Sequence, residues 1–273
     1  MLWRRWRVLI VVVLFLALFT GNFTWLRNGL YAARRDGQVQ AARFAANGDQ
    51  IRANSHFVLY YPRQDGNYAS LVLAAAEKAY GKVTKDLGYA PPGKLTIVMY
   101  PTQAALEAAV GGLPDETVVG LYWDGIIRLP YPGTWIPEAW PESTKANYFF
   151  QNGPRAHELT HLILDYRTDG NYPAWFTEGL AQYEDKQITG YVWTSPQDGK
   201  KPYSYAQLDE SFYALPDQAL AYHQALSMVE RMEKLQGPAG MRALIGQLAA
   251  GKSFPAAVNQ VYKLTPEKLG MAG

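Results

Sequence analysis

The sequence predicts an α+β fold, in which a mixed or antiparallel sheet with helices comes first and a helical half follows. Segments rich in β-branched and aromatic residues lie before residue 131. From Arg155 onward, apolar residues recur with helical spacing, interrupted by one irregular stretch at 188–216. Strands followed by helices indicate α+β architecture rather than an alternating parallel sheet.

Composition excludes several classes of function. The formal net charge is only +2, and no long basic segment occurs beyond the N-terminus, so the sequence does not indicate a nucleic-acid surface. The chain has no cysteine, which rules out disulfides, thiolate metal sites and cysteine nucleophiles. Any metal ligands must therefore be His, Asp or Glu.

Residues 1–30 are expected to form a transmembrane anchor or a signal segment. No charged residue occurs at 8–26, and this length just crosses a bilayer core of about 30 Å at about 1.5 Å per residue. The strictly apolar part, 8–19, also fits a signal peptide, but no small-x-small pair follows it. We expect a single-pass anchor with the main domain outside the cytoplasm, or a secreted protein if the segment is cleaved.

The rest of the first half reads as a tether followed by a strand-helix-strand unit. Residues 31–54 are rich in Ala, Arg and Gln and predict a helical tether. The main domain, 55–273, opens with a strand at 55–62, an amphipathic helix that ends at Gly88, and a second strand at 94–101.

A short helix, a hairpin and a loop complete this half. Thr102 is the expected N-cap of the helix. Asp124-Gly125 lies between two β-rich segments, which is typical of a hairpin with a type I′ turn. Residues 131–154 are rich in Pro and aromatics without a clear period, and we expect them to form a loop beside the site described next.

The segment RAHELTHLILDY, 155–166, predicts a metal site. Residues four apart on a helix differ by about 40° in azimuth and about 6 Å in rise, so His157 and His161 project toward one point. Glu158 can reach a water bound to the same ion. An HExxH motif works in this way, because its two imidazoles bind the metal and its carboxylate stays free to act as a base. The plainer alternative is surface His and Glu on an amphipathic helix.

A catalytic zinc site needs a third protein ligand. The best candidate is Glu178, seventeen residues after the second histidine, because an antiparallel return would bring the start of the next helix beside the metal. Asp165 lies about 12 Å of helix rise from the first histidine, too far to share an ion. Glu184 and Asp185 lie deeper in the second helix, where a solvated face is the commoner role.

HELTH followed by WFTEGLAQYED resembles the gluzincin metallopeptidases, and specifically the peptidase MA-like domain, in which HExxH precedes a W-x-x-E-G-x-A helix. The resemblance covers most of the chain after about residue 54. It implies a zincin-like fold whose helical half carries HExxH and the third-ligand Glu. It further implies one zinc ion per chain, held by His157, His161 and Glu178, with Glu158 as general base and a peptide or protein as substrate.

The resemblance also suggests which residue stabilises the oxyanion. Related aminopeptidases carry a Tyr-x-Lys-Gly segment, and YHQA at 222–225 resembles it without the Lys-Gly pair. Tyr222 and the adjacent His223 are both candidates. The aminopeptidase signature Gly-x-Met-Glu-Asn is absent, so we expect an endopeptidase rather than an exopeptidase.

The sequence thus predicts a membrane-anchored zinc endopeptidase. One alternative is a catalytically silent binding protein with the same fold, and another is a zinc hydrolase of a non-peptide substrate. Asp165 or Asp185 could orient the imidazoles. A hairpin strand, 120–123 or 126–129, could pair with an extended peptide.

Overall fold

The computed structural model describes residues 24–46, 48–112, 118–153, 156–192 and 199–270, which fold around one mixed five-stranded sheet. The strands are β1 (Gln50–Ala53), β2 (Phe57–Tyr61), β3 (Leu95–Tyr100), β4 (Leu121–Trp123) and β5 (Ile126–Pro130). The helices are α1 (Thr24–Ala45), α2 (Ala69–Leu87), α3 (Gln103–Val110), α4 (Glu142–Asn152), α5 (Ala156–Thr168), α6 (Ala174–Thr189), α7 (Tyr205–Ser211), α8 (Gln218–Ala249), α9 (Phe254–Tyr262) and α10 (Pro266–Leu269). The expected α+β class is confirmed.

The order of the strands across the sheet is β1-β2-β3-β5-β4. The three central strands, β2, β3 and β5, are parallel, whereas β1 and β4 pair antiparallel at the two edges. Parallel neighbours need a crossover connection, which α2 and α3 provide. Every side chain of β5 is buried, because helices cover both faces at the centre of the sheet.

The predicted hairpin joins β4 to β5. Asp124 and Gly125 have φ angles of 47° and 85°, and a type I′ turn requires positive φ at both central positions. β4 pairs with β5 on one side only, so its other side is an edge of the sheet. The hairpin prediction is therefore confirmed, and β4 is the strand available for pairing.

The segment expected as a tether, 31–54, packs against the domain. It is helical only to Ala45, and residues Gln50–Ala53 form edge strand β1. Val39 of α1 is buried against Val98 and Ile126, on the sheet face opposite α2. The physical reason is that Val98 and Ile126 on this face of the sheet need a cover, which α1 supplies.

No helix within the described residues is long and apolar enough to cross a membrane. Residues 1–23 of the predicted anchor lie outside the described residues. The anchor therefore stays a prediction from the sequence.

Two segments expected to be irregular contain helices. Within 131–154, α4 buries Phe149 completely and Lys145 almost completely, and these positions are four apart, as expected for one face of a helix. Within 188–216, α7 begins with a capping box formed by Ser204 and Gln207. Both helices are short, and their apolar residues are too few to give a clear periodic pattern.

Candidate metal centre

Three predicted ligands meet at one point between α5 and α6. His157 and His161 lie one turn apart on α5, with ring centroids 4.7 Å apart. Oε2 of Glu178, on α6, is 3.4 Å from His157 Nε2 and 3.7 Å from His161 Nε2. One ligand atom from each residue lies within 4.8 Å of the others, so the group could hold a metal ion.

The spacing and chemistry of these donors fit zinc. Two donors about 2.0–2.1 Å from a tetrahedral ion are about 3.4 Å apart. The two distances from the carboxylate oxygen to the imidazole nitrogens, 3.4 and 3.7 Å, lie close to this value. Two imidazoles and one carboxylate also form a three-ligand set typical of catalytic zinc, which leaves a fourth position for water.

The packing of α6 explains how Glu178 reaches this point. Trp175 is fully buried, with its ring 5.1 Å from that of Phe254, which anchors the first turn of α6. A Cβ on Gly179 would lie 2.3 Å from the carbonyl oxygen of Ala225. Only glycine therefore allows α8 to approach α6 this closely, and the approach brings Tyr222 to the wall of the site.

Glu158 is held against the edge strand of the sheet. Its Oε2 accepts a hydrogen bond of 2.6 Å from the backbone N–H of Tyr122, in β4. The carboxylate of the motif therefore lies between the histidines and the strand that offers a free edge. A substrate paired with β4 would pass beside Glu158.

Thr177 is a functional contact that sequence reasoning missed. His161 Nδ1 and Thr177 Oγ1 are 2.6 Å apart and both are buried. A metal on Nε2 requires the proton on Nδ1, which then donates to the threonine and fixes the ring. The sequence predicts only carboxylates for this role. Of these, Asp185 lies beside an imidazole, with Oδ2 3.9 Å from His157 Nδ1.

Changing Thr177 to valine should weaken zinc binding by about 10- to 100-fold, because the imidazole of His161 loses the partner that orients it. A competition titration with a chromophoric chelator measures this. Thr160→Val is the matched control, since Thr160 is equally buried on α5 but donates to its own helix at the carbonyl of Ala156. Equal zinc affinities for Thr177→Val and wild type would contradict the assigned role.

The two predicted oxyanion candidates differ in their position. Tyr222 lines the cavity around the metal ligands, of about 440 Å³, and a neighbouring cavity of about 610 Å³. His223 lines neither, because adjacent residues on a helix point about 100° apart. Tyr213, which belongs to no recognisable motif, donates a hydrogen bond of 2.7 Å to Glu178 Oε1.

A family model for the peptidase MA superfamily matches residues 75–271. The chain belongs to the peptidase MA superfamily. Comparison with curated proteins gives no significant match. The resemblance carried by HELTH and WFTEGLAQYED is confirmed at the level of the superfamily, and membership indicates a peptidase.

Two of the candidate ligands of this peptidase MA chain, Glu178 and His157, carry opposite charges in the absence of metal. Burial opposes ionisation of Glu178, but the nearby His161 and His157 outweigh it and lower its pKa to about 2. Burial likewise opposes the charge on His157, but the hydrogen bond with Glu178 and the charge of Glu158 raise its pKa to about 9. His157 must therefore release a proton when a metal binds near neutral pH.

The other two motif residues have pKa values that suit their predicted roles. Burial lowers the pKa of His161 to about 4, so its imidazole is neutral and able to bind a metal at pH 7. Burial also raises the pKa of Glu158 to about 7, although the positive charge of His157 opposes the rise. A carboxyl group that titrates near the working pH is suited to accept and return a proton.

The two further carboxylates of α6 are buried, whereas a solvated face was expected. The relative exposure of Glu184 is 2% and that of Asp185 is 9%. The reason is that α6 lies at the centre of the helical half, packed against α5, α8 and α2, which leaves little of its surface for water. Asp185 lies beside His157, and Glu184 lies near Lys82 with 4.0 Å between Nζ and Oε2.

Glu184 should make stability depend on pH. Burial and the charge of Asp86 raise the pKa of Glu184 to about 8 in the folded state. The folded protein then binds more protons than the unfolded chain between about pH 4.5 and 8, so the free energy of unfolding falls as the pH rises through this range. Glu184→Gln removes this dependence. The free energy of unfolding of Glu184→Gln minus that of the wild type should therefore increase by roughly 2–4 kcal/mol between pH 4.5 and 8.5.

Denaturant unfolding of both proteins at the two pH values measures the difference. Glu210→Gln is the control, because Glu210 is exposed on α7. A constant difference between Glu184→Gln and wild type across this range would show that Glu184 is ionised throughout.

Proposed function

We propose that the protein is a membrane-anchored zinc endopeptidase. The observation that carries this proposal is the convergence of His157, His161 and Glu178 within 4.8 Å, with Glu158 free of the ligand set and beside it. Membership of the peptidase MA superfamily supports hydrolysis of peptide bonds.

His157, His161 and Glu178 would hold one zinc ion per chain. Bound there, zinc would lower the pKa of a water toward about 7 and polarise the scissile carbonyl. The protein then has to position the base, stabilise the oxyanion and orient the peptide, and each of these tasks has a candidate group in the described residues.

Glu158 is the proposed general base. It accepts the proton of the attacking water as the water oxygen bonds to the carbonyl carbon, and it returns that proton to the leaving nitrogen as the C–N bond breaks. The hydrogen bond from the Tyr122 N–H keeps one carboxylate oxygen toward β4, which leaves the other for the water. Without a bound metal, burial raises the pKa of Glu158 to about 7.

Tyr222 is the proposed oxyanion donor. Its place in the wall shared by both cavities supports this choice over His223, whose side chain lines neither. A phenolic hydroxyl donates a hydrogen bond to the oxygen that gains negative charge in the transition state. This hydrogen bond strengthens as the charge develops.

An extended peptide is the proposed substrate. The edge of β4, where the Tyr122 N–H already donates to Glu158, offers its remaining backbone groups to an added strand. The cavity of about 610 Å³ starts at His157 and Glu158 and includes Trp135 and Leu226, which offers room for a side chain. A third cavity, about 710 Å³, lies between α1 and the sheet and contains none of the metal ligands, so we assign it no part in catalysis.

Residues 1–30 complete the proposal as the anchor. The uncharged segment 8–26 and the arginines that precede it support a single-pass topology with the peptidase domain outside the cytoplasm. Protease protection of the domain in sealed membrane vesicles tests this topology. Digestion from the outer face should remove residues 55–273. Full protection of the domain would indicate the opposite topology.

The test of the activity is digestion of a mixed peptide library by the full chain, loaded with zinc in detergent, with Glu158→Gln as the matched control. Internal cuts made by the wild type alone, identified by mass spectrometry, would establish an endopeptidase and give its specificity. One bound zinc per chain without cuts would favour a binding protein that retains the metal. Removal of single terminal residues would indicate an exopeptidase.

A further inference from the structure

Asp165 is the centre of a buried hydrogen-bond network behind the metal ligands. Its side chain is fully buried on α5, one turn after the second histidine. Oδ1 accepts from Tyr31 Oη at 2.6 Å and from Tyr172 Oη at 3.3 Å, while Oδ2 accepts from Tyr122 Oη at 2.6 Å. Arg35 Nη1 lies 3.4 Å from Oδ2. Three hydroxyls and one guanidinium thus converge on one carboxylate.

Two of these tyrosines line the proposed active site. Tyr122 and Tyr172 both line the cavity that contains the metal ligands. Tyr122 also donates its backbone N–H to Glu158, so its phenol is tied to Asp165 and its amide to the proposed base. The position of Glu158 is therefore linked to Asp165 through a single residue.

The other two partners come from α1. Tyr31 and Arg35 lie four apart and reach Asp165 from the same face of that helix. Arg35 also stacks over the ring of Tyr166 at 4.0 Å. A Cβ at Gly125 would lie 2.7 Å from Arg35 Cγ, so the hairpin turn needs glycine both for its positive φ and for the close approach of α1.

A buried carboxylate needs a counter-charge, and α1 supplies it. Among the described residues, Arg35 is the only cation in contact with Asp165. Removing one partner of a buried pair leaves an uncompensated charge, which is far more costly than the loss of an exposed pair. Arg34, on the same helix, forms such an exposed pair with Asp124 of the hairpin turn, 2.9 Å apart, and this pair should contribute little.

We propose that Asp165 is a positioning residue that holds Tyr122, and through it Glu158, in the orientation needed for catalysis, and that α1 is required to fix Asp165 in place. The inference rests on the proposed role of Glu158 as base. Helix α1, which follows the predicted anchor, would then help to build the active site in addition to connecting it to the membrane.

The test compares Tyr31→Phe and Asp165→Asn with Tyr262→Phe in the full chain. Tyr262 is a matched control because its hydroxyl is buried and has no hydrogen-bond partner among the described residues. Zinc content, kcat and KM, and amide hydrogen exchange at residues 121–123 are measured for each. Arg35→Lys, which retains the charge, is compared with Arg35→Gln.

We expect kcat to fall by about 10-fold in Tyr31→Phe and by about 100-fold in Asp165→Asn, with zinc content and KM unchanged, because misplacing a catalytic group costs turnover rather than binding. Amide hydrogen exchange at residues 121–123 should be faster than in the wild type in Tyr31→Phe and Asp165→Asn. It should stay at the wild-type rate in Tyr262→Phe. Arg35→Lys should retain more turnover than Arg35→Gln.

Unchanged kcat and unchanged exchange in Tyr31→Phe would overturn the proposal, as would a fall in kcat that tracks a loss of zinc. Tyr31→Phe keeps the test decisive if Asp165→Asn does not fold, because it removes one hydroxyl and preserves the ring. If the wild-type protein cleaves no peptide, the proposed function fails, and the exchange rates alone still decide whether Asp165 and α1 hold β4.

Discussion

Glu158→Gln should bind zinc as the wild type does and lose about 10³-fold in kcat. Glutamine can accept the hydrogen bond from the Tyr122 N–H through its amide oxygen, so the geometry is kept, but it cannot accept a proton from water at neutral pH. The loss of a general base typically costs about 10² to 10⁴ in rate. Zinc content by atomic absorption and kcat on a cleaved peptide measure the two properties separately.

The control for this variant is Glu210→Gln, an exposed glutamate on α7 that should leave both properties unchanged. Peptide hydrolysis at the wild-type rate by Glu158→Gln would remove Glu158 from the mechanism. Loss of zinc from this variant would instead assign Glu158 to the ligand set.

Glu178→Ala should lose zinc and, with it, all peptide cleavage. Its Oε2 lies 3.4 Å from His157 Nε2 and 3.7 Å from His161 Nε2, so the substitution leaves two ligands where a catalytic zinc site needs three. We expect the dissociation constant for zinc to rise by more than about 100-fold, since even changes to the partners of ligands cost 10- to 100-fold. A chelator competition titration measures it.

Glu184→Gln is the control for this second substitution, because Glu184 lies on the same helix, is equally buried and contacts none of the ligands. It should bind zinc like the wild type. Retention of one zinc ion per chain by Glu178→Ala would mean that another carboxylate, with Asp185 as the nearest candidate, is the third ligand.

The centre of the site could be predicted from the sequence because its geometry is local. Two histidines four apart on a helix must face one point, and the glutamate and glycine of the next helix follow a fixed spacing. The glycine has a physical reason, since a Cβ on Gly179 would collide with the backbone of α8. Superfamily membership agrees with this part of the interpretation.

The contacts that surround the ligands could not be predicted because they join distant parts of the chain. Thr177 and Tyr213 are polar residues without a motif, and their partners, His161 and Glu178, are fixed only by the packing of α6. A search for carboxylates alone overlooks hydroxyl groups, which are equally able to orient a ligand.

The docking of helix α1 could not be predicted for a similar reason. Its docking stripe consists of Tyr31, Arg35 and Val39, spaced four apart, and two of these three side chains are polar. Apolar periodicity does not detect a face that binds through a phenol and a guanidinium. The amide and alanine content suggested a solvated tether, whereas the buried carboxylate of Asp165 gives the helix a specific partner.

The most direct test of the central claim is a zinc titration of the metal-free full chain, with bound zinc and peptide cleavage followed in the same sample. New amino termini, counted with an amine-reactive dye, should increase in proportion to bound zinc and level off at one ion per chain. Binding of one zinc ion without any new amino termini, or cleavage that does not depend on zinc, would contradict the account.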